Sequence, residues 1–377
     1  MITTLISLGL IATAFVFTEG DLRLSKMNCA MVFAVILGLL VFYYGNAKGI
    51  KNKWLLALMA YLPISYLMSP KPDIKLFSMN VGSFWAWQPM YIIWVFFSMF
   101  ALIATYKFTD GNISCIMHTM AFCGFLTSLY VIMQYFNADQ FFYQTSGGAD
   151  GRMAGFIGNP TLTAPLIAMI IPISLCMKKY FQALIMAIAV VMTESQMAIG
   201  AMCASIIVYI SFKGWAYMAL GLILTAVLAF YIHMGYQGGI VNDSSRFEHW
   251  PVIAKDINSP VTENGPKYPL TGIGLGSFKY TYHIKHKNNY FQAHNEYLEI
   301  MYNTGVVGLI LFIMSLYTMI KQYLRVGIKK YRRALLASFM CIAMCALGTF
   351  VWQIGTTIFY TIVVAGLLIN QEELEHA

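Results

Sequence analysis

Residues 160–177 read PTLTAPLIAMIIPISLCM, and Lys178 and Lys179 follow at once. The run carries no charged side chain, and a segment of about 17–23 apolar residues matches the ~30 Å hydrocarbon core of a bilayer. Comparable windows recur on both sides, at roughly 2–18, 28–45, 53–69, 85–106, 113–136, 180–193, 195–211, 214–233, 305–320, 334–350 and 352–370. The expected fold is an all-α polytopic membrane protein of about 12 transmembrane helices, forming a single integral domain over residues 1–377. The stretch from Tyr180 to Ile210 has Glu194, Ser195 and Gln196 near its middle. It is either two short helices meeting in a polar turn or one helix broken there, and irregular backbone at that depth needs protein or water around it.

Composition agrees with lipid as the main solvent. Hydrophobic residues make up 59% of the 377 and charged residues 11%, with a mean hydropathy of +0.66. A soluble domain carries about 25% charged residues to wet its surface. The apolar start, Met1 to Phe17, lacks a basic leader and a small-residue cleavage site and is read as a first span. All seven cysteines fall in or beside apolar windows, which argues against a disulfide framework or a cysteine metal site.

The formal charge of +8 could suggest nucleic acid, but its distribution gives a better reason. With the N-terminus in the cytoplasm, Lys48, Lys51, Lys53, Lys107, Lys178, Lys179, Lys213 and the cluster Lys321, Arg325, Lys329, Lys330, Arg332 and Arg333 all lie inside. The short outer loops keep only Arg23, Lys26, Lys71, Lys75 and Arg152. This is the positive-inside pattern, with both termini cytoplasmic and no nucleic-acid partner required. Two longer outer segments remain, Asn137 to Asn159 and a large loop over 235–304 between spans nine and ten. Loops of that length are usually functional. The second holds an amphipathic helix from Ser245, a candidate N-cap, through Trp250, Ile253, Ala254 and Ile257, and then the glycine turn Gly272-Ile-Gly274-Leu-Gly276.

Groups capable of chemistry gather where these loops re-enter the membrane. Arg152 stands in Arg-x-x-Gly-x-x-x-Asn159-Pro, Arg246 in Ser-Arg-x-x-x-Trp, and a Pro-Leu-x-Gly-x-Gly turn follows. His294 stands in Ala-His-Asn295-Glu296-Tyr-Leu-Glu299, with Gly305-x-x-Gly308-Leu behind it. The order, spacing and topology of these motifs resemble the bacterial O-antigen ligase and polysaccharide polymerase family. The motifs run from Arg152 to Leu309, and the topology resembles that family over nearly the whole chain.

That resemblance implies a GT-C-like glycosyltransferase of the bacterial inner membrane with its active site periplasmic. Its donor would be an undecaprenyl-diphosphate-linked glycan, and its acceptor the lipid A-core or another glycan. It makes His294 the catalytic base and Arg152 and Arg246 the diphosphate ligands, with Asn159, Glu194, Gln196, Lys267, Asn295 and Glu296 in support. It also implies inversion at C1. Many members carry Ser-Arg where this chain has Ser195-Gln196, so a third cation would have to come from Lys267 or another loop lysine. The residue types suit the chemistry. Arginine forks hold a diphosphate leaving group as it gathers charge, so neither a metal nor a cofactor is needed. A histidine can take the acceptor's proton near neutral pH.

Other readings of the same residues stand beside this one. Arg152 and Arg246 could be interfacial anchors. His283, His286, His294 and Glu299 have one spacing compatible with zinc but lack the helical i, i+4 pair. Glu19-Gly-Asp21 is better read as a solvated turn than as an acidic catalytic site, and Gly272 to Gly276 as a turn than as a phosphate loop. Trp85, Trp87, Phe141, Phe142 and Tyr143 could stack on sugars or form an interfacial belt. A polymerase, a protein O-oligosaccharyltransferase and, from another class, a transporter of lipid-linked glycans all fit many spans and a cationic rim. The absence of internal repeats weighs against the transporter.

Overall fold

The computed structural model describes residues 1–16, 22–44, 52–67, 81–138, 152–211, 244–257, 269–278, 281–282, 292–325 and 330–370. Among them all regular structure is helical. In chain order the helices are α1 (Ile2–Phe15), α2 (Leu22–Tyr44), α3 (Lys53–Leu67), α4 (Val81–Thr105), α5 (Asp110–Tyr135) and α6 (Pro160–Cys176). They continue with α7 (Tyr180–Met192), α8 (Gln196–Ser211), α9 (Ser244–Ile257), α10 (Glu296–Arg325), α11 (Lys330–Cys345) and α12 (Gly355–Ile369). By length and composition three are able to cross a membrane: Ser25–Tyr44 in α2, α5, and Glu296–Gln322 in α10. Helices α1, α6, α7, α8, α12 and the Ile92–Thr105 part of α4 are equally apolar but only 10–17 residues long. At about 1.5 Å per residue these are shorter than a ~30 Å hydrocarbon core. The described residues are thus all-helical in their regular structure and carry the apolar helices of a membrane protein.

Helices α6 and α12 are the centre. Both are apolar on every side and almost every residue is buried, as expected of a helix with no water-facing stripe. Asn159 starts α6 by accepting from the Thr161 N–H at 2.9 Å, with Pro160 as the first helical residue. Small residues permit close approach around this centre. A side chain added at Gly366 would strike Ile103 of α4.

Cations close three helix C-termini. Lys26, fully buried, donates to the carbonyls of Ala14 at 2.8 Å, Val16 at 3.1 Å and Thr13 at 3.3 Å at the end of α1. Arg332, buried at the start of α11, donates to Asn370 O at 3.1 Å beyond α12, and the Asn370 amide caps α4 through Ile103 O and Tyr106 O. Arg152 does the same for α7. The last carbonyls of a helix lack intrahelical partners and carry its negative end, so a buried cation is well matched to them. Lys26 therefore does not sit in an outer loop, as its sequence position suggests, but inside the first turns of α2.

Helix α10 is kinked at Gly305, whose φ of 69° and ψ of −171° are not helical. The chain from Pro269 to Gly274 enters the kink. Ile273 N donates to Tyr302 O, Gly274 N to Asn303 O, Val306 N to Pro269 O and Val307 N to Leu270 O, all at 2.8–3.2 Å. Tyr61 of α3 donates to Thr304 O at 2.9 Å. The backbone groups released by the kink thus find partners in protein, which irregular backbone at membrane depth requires. Gly272 (φ 71°) and Gly305 meet backbone to backbone: a Cβ on Gly305 would lie 2.2 Å from Leu270 O. The sequence reading of Gly272 to Gly276 as a turn agrees with this structure.

The first eight apolar windows coincide with α1 to α8, and the Tyr180–Ile210 stretch is two helices joined at Thr193-Glu194-Ser195. The ninth window, 214–233, lies outside the described residues. The tenth begins at Glu296 rather than 305, because the kink bends the helix without ending it.

Candidate functional site

The turn joining α11 to α12, residues 346–353, is where the candidate residues meet. Around it are the Arg152 segment, the α7–α8 turn, the His294 loop and the N-terminus of α10.

Arg152 precedes a short 3-10 turn, Gly155–Ile157. Its Nε and Nη2 both donate to Thr193 O, at 3.1 and 3.0 Å, at the C-terminus of α7. Thr193 in turn donates its hydroxyl to Val190 O and receives the Ser195 N–H. Glu194, exposed and at φ 56°, and exposed Gln196 complete the turn. Arg152, Thr161, Ser195, Gln196, Gly348 and Thr349 line a recess of about 10 Å³.

His294 is held from both sides. Ala293 before it donates its N–H to Glu299 Oε2 at 3.0 Å, and its carbonyl accepts from Trp250 Nε1 of α9 at 3.0 Å. Asn295 after it caps α10 by accepting from Leu298 N at 3.0 Å. Between these anchors His294 takes the left-handed conformation, φ 51°, which few non-glycine residues adopt. Its half-buried ring meets the Phe350 ring edge-on at a centroid distance of 5.0 Å.

Glu296 is buried and joins the loop to the turn. Its N–H donates to Ala346 O, Oε1 accepts from Trp352 N at 2.9 Å, and Oε2 accepts from Gln353 Nε2 at 3.3 Å. Helix α9, which carries Arg246, packs Ile253 and Ile257 into a small cluster with Ile273, Phe278, Tyr282, Ala293 and Tyr302. Trp250 packs beside them, whereas Ala254 faces outward. The expected stripe is therefore Trp250–Ile253–Ile257, one residue narrower than the sequence suggests.

Of the expected site residues, Arg152, Gln196, His294, Asn295 and Glu296 are brought to one turn. Asn159 caps α6, with Thr161 also beside the recess. Arg246 falls on α9, with its side chain outside the described residues, as are Lys267, His283, His286, Glu19, Asp21 and the aromatic residues Phe141 to Tyr143. Among the described residues no group of three potential ligands is placed to hold a metal.

Sequence reasoning missed Gln353 and the clamping role of Glu299. A polar Gln353 between two apolar windows was the available signal, since polar groups at membrane depth are seldom idle. It also missed a cavity of about 520 Å³ between α2, α3, α4, α10, α11 and α12, headed by Glu296, Glu299, Gln292 and Gln353. Its signal is spread over six helices and is not local. Chemically, the turn offers a forked cation on one side, an imidazole held between anchored neighbours, and hydrogen-bond acceptors on the other.

No protein-family model matches the chain, and no curated protein matches it.

Proposed function

We propose that the chain is a membrane glycosyltransferase that moves a glycan from an undecaprenyl-diphosphate-linked donor to a hydroxyl acceptor at the periplasmic face. The observation that carries this reading is the gathering of motif segments far apart in sequence. Arg152 shares a recess with Gly348 and Thr349, the His294 loop meets Phe350 and, through Glu296, Trp352, and α9 with Arg246 is tied to that loop at Ala293. Lys178, Lys179 and Arg332 lie at the opposite ends of helices α6, α7 and α11. Under the positive-inside rule this arrangement supports the reading with the His294 end outside and both termini inside.

In this reaction the acceptor oxygen attacks C1 of the donor sugar, the C1–O bond to the diphosphate breaks, and His294 takes the hydroxyl proton. The electron pair leaves with the diphosphate, which Arg246 and Arg152 stabilise through charge-assisted N–H donors. Two of the five guanidinium N–H groups of Arg152 already hold Thr193 O. Its contribution to the diphosphate therefore comes through the remaining ones. Direct displacement inverts C1 and needs no metal. The lipid A-core, a second lipid-linked glycan, or a protein hydroxyl would each serve as acceptor chemically. Expression in strains lacking either ligase or polymerase, reading which glycan pattern returns, separates them.

Replacing Arg246 with Lys tests the diphosphate role, because a point charge does not reproduce the fork. Donor affinity and turnover in reconstituted protein should both fall. Unchanged values in a well-expressed variant would remove Arg246 from the reaction.

A further inference from the structure

Hydrogen-bond donors converge on the small recess between Arg152 and the 346–353 turn. Arg152 carries donors only, and two of its N–H groups are taken by Thr193 O. Ser195, Gln196 and Met197, at the start of the 16-residue helix α8, line the recess as well. Ile199 N donates to Ser195 O. The N–H groups ahead of Ile199 therefore have no partner within the helix, and this end carries its positive pole. Thr349 is an independent observation. It lines the recess, it is 2% exposed, and its Oγ1 has no hydrogen-bond partner among the described residues. Buried hydroxyls are normally satisfied. Gly348 lets the turn approach α8, since a Cβ there would lie 2.3 Å from Met197 Cγ. The recess, about 10 Å³, admits one atom of the size of a water oxygen. Gln196 in its wall is exposed, so the recess is reachable from outside.

We infer that this recess receives one oxygen of a phosphate-class oxyanion, and that Thr349 Oγ1 donates to it beside Arg152 and the N-terminus of α8. A helix N-terminus favours a negative acceptor. A water could satisfy Thr349, but it brings two hydrogens of its own to a wall where the guanidinium and the helix end offer no acceptor. An oxyanion oxygen accepts from all three. The rest of the phosphate group, too large for the recess, stays at its mouth. Only the source of the anion rests on the proposed function, in which it is the diphosphate of the lipid-linked donor. Thr349 is then a binding residue for that donor, supplied by the turn between α11 and α12.

The full-length protein in maltoside detergent, which brings no phosphate of its own, is titrated calorimetrically with farnesyl diphosphate, inorganic pyrophosphate and farnesol. Thr349→Val keeps the shape of the side chain and removes the hydroxyl. It should weaken farnesyl diphosphate binding about tenfold, the worth of one hydrogen bond to a charged group. Thr349→Ala should show the same loss, and Thr349→Ser, which restores a hydroxyl, should stay within about threefold of the unaltered protein. Farnesol binding should not change. Tighter binding of farnesyl diphosphate than of pyrophosphate identifies a lipid head as the source, and equal Thr349-dependent binding of both identifies a free anion. Unaltered affinity for both anions in Thr349→Val, with or without a fall in thermal stability, leaves a structural water in the recess and overturns the inference. So does an equal loss for farnesol, or binding of neither anion by the unaltered protein. The titration reads no turnover, so a Thr349-dependent anion site stands even where no glycosidic bond forms. Bond formation with unaltered anion binding in Thr349→Val would remove Thr349 alone.

Discussion

The 346–353 turn has two unlike sides. On one, Arg152 holds Thr193 O beside a recess of about 10 Å³, room for about one water. On the other, Glu296 and Glu299 head a cavity of about 520 Å³. The difference follows from which backbone groups each charge can satisfy. Cations hold carbonyls at helix C-termini, as Arg152, Lys26 and Arg332 do for α7, α1 and α12. Carboxylates hold N–H groups, as Glu296 does at Trp352 just ahead of α12 and Glu299 at Ala293. Donor and acceptor side chains therefore fall on different sides of one turn, and the His294 ring meets that turn at Phe350.

The largest effect that would break this picture is in the rate. Replacing His294 with Ala should lower glycan transfer about 100- to 10,000-fold if the imidazole is the general base. The check is initial rate at saturating donor with matched protein amounts. Next is the kink. Gly305→Val puts a branched side chain against Leu270 O in a conformation it disfavours, and should cost about 3 kcal/mol or more. Thermal unfolding in detergent should shift down accordingly, and an unshifted transition would show that the Leu270–Gly305 approach is not a constraint.

The acidic side can be sharpened against the basic one. Glu299→Ala leaves the Ala293 N–H without its acceptor, a loss of about 1–3 kcal/mol, whereas Glu299→Gln keeps an acceptor oxygen. Hydrogen exchange at residues 292–295 should rise in the alanine variant and be largely restored in the glutamine one. Equal exchange in both would mean that Glu299 does not hold the loop. Smallest is Trp250→Phe, which removes one hydrogen bond to Ala293 O while keeping most of the packing, and should cost about 1 kcal/mol. Comparison with Glu299→Ala in a double-mutant cycle tells whether the two clamps act on Ala293 together.

The helices were legible because apolar windows are local. Residues 160–177 announce α6, and the polar trio Glu194, Ser195 and Gln196 marks a true helix boundary. The start of α10 was not legible, since Glu296 to Thr304 looks like loop until Glu296, Tyr61 and the 269–274 chain are seen to enclose it. Asn295 and Glu296 were singled out as supporting residues. The Asn295 cap on α10 is local, whereas the Glu296 clamp on Trp352 joins residues more than 50 apart and is not readable from spacing. Lys26 was misjudged for the same reason: sequence places it between spans, whereas the end of α1 draws it inside. Arg246 rests on its motif and Lys267 on the need for a third cation, because their side chains lie outside the described residues.

Bond formation at the His294 end separates a transferase from a transporter. Purified protein in detergent, with no gradient across any membrane, should be given an undecaprenyl-diphosphate-linked glycan and a hydroxyl acceptor, and the products read by mass spectrometry. New glycosidic bonds with release of undecaprenyl diphosphate are the predicted result. An unreacted donor, together with donor movement across vesicles carrying the same protein, would contradict it and favour a transporter.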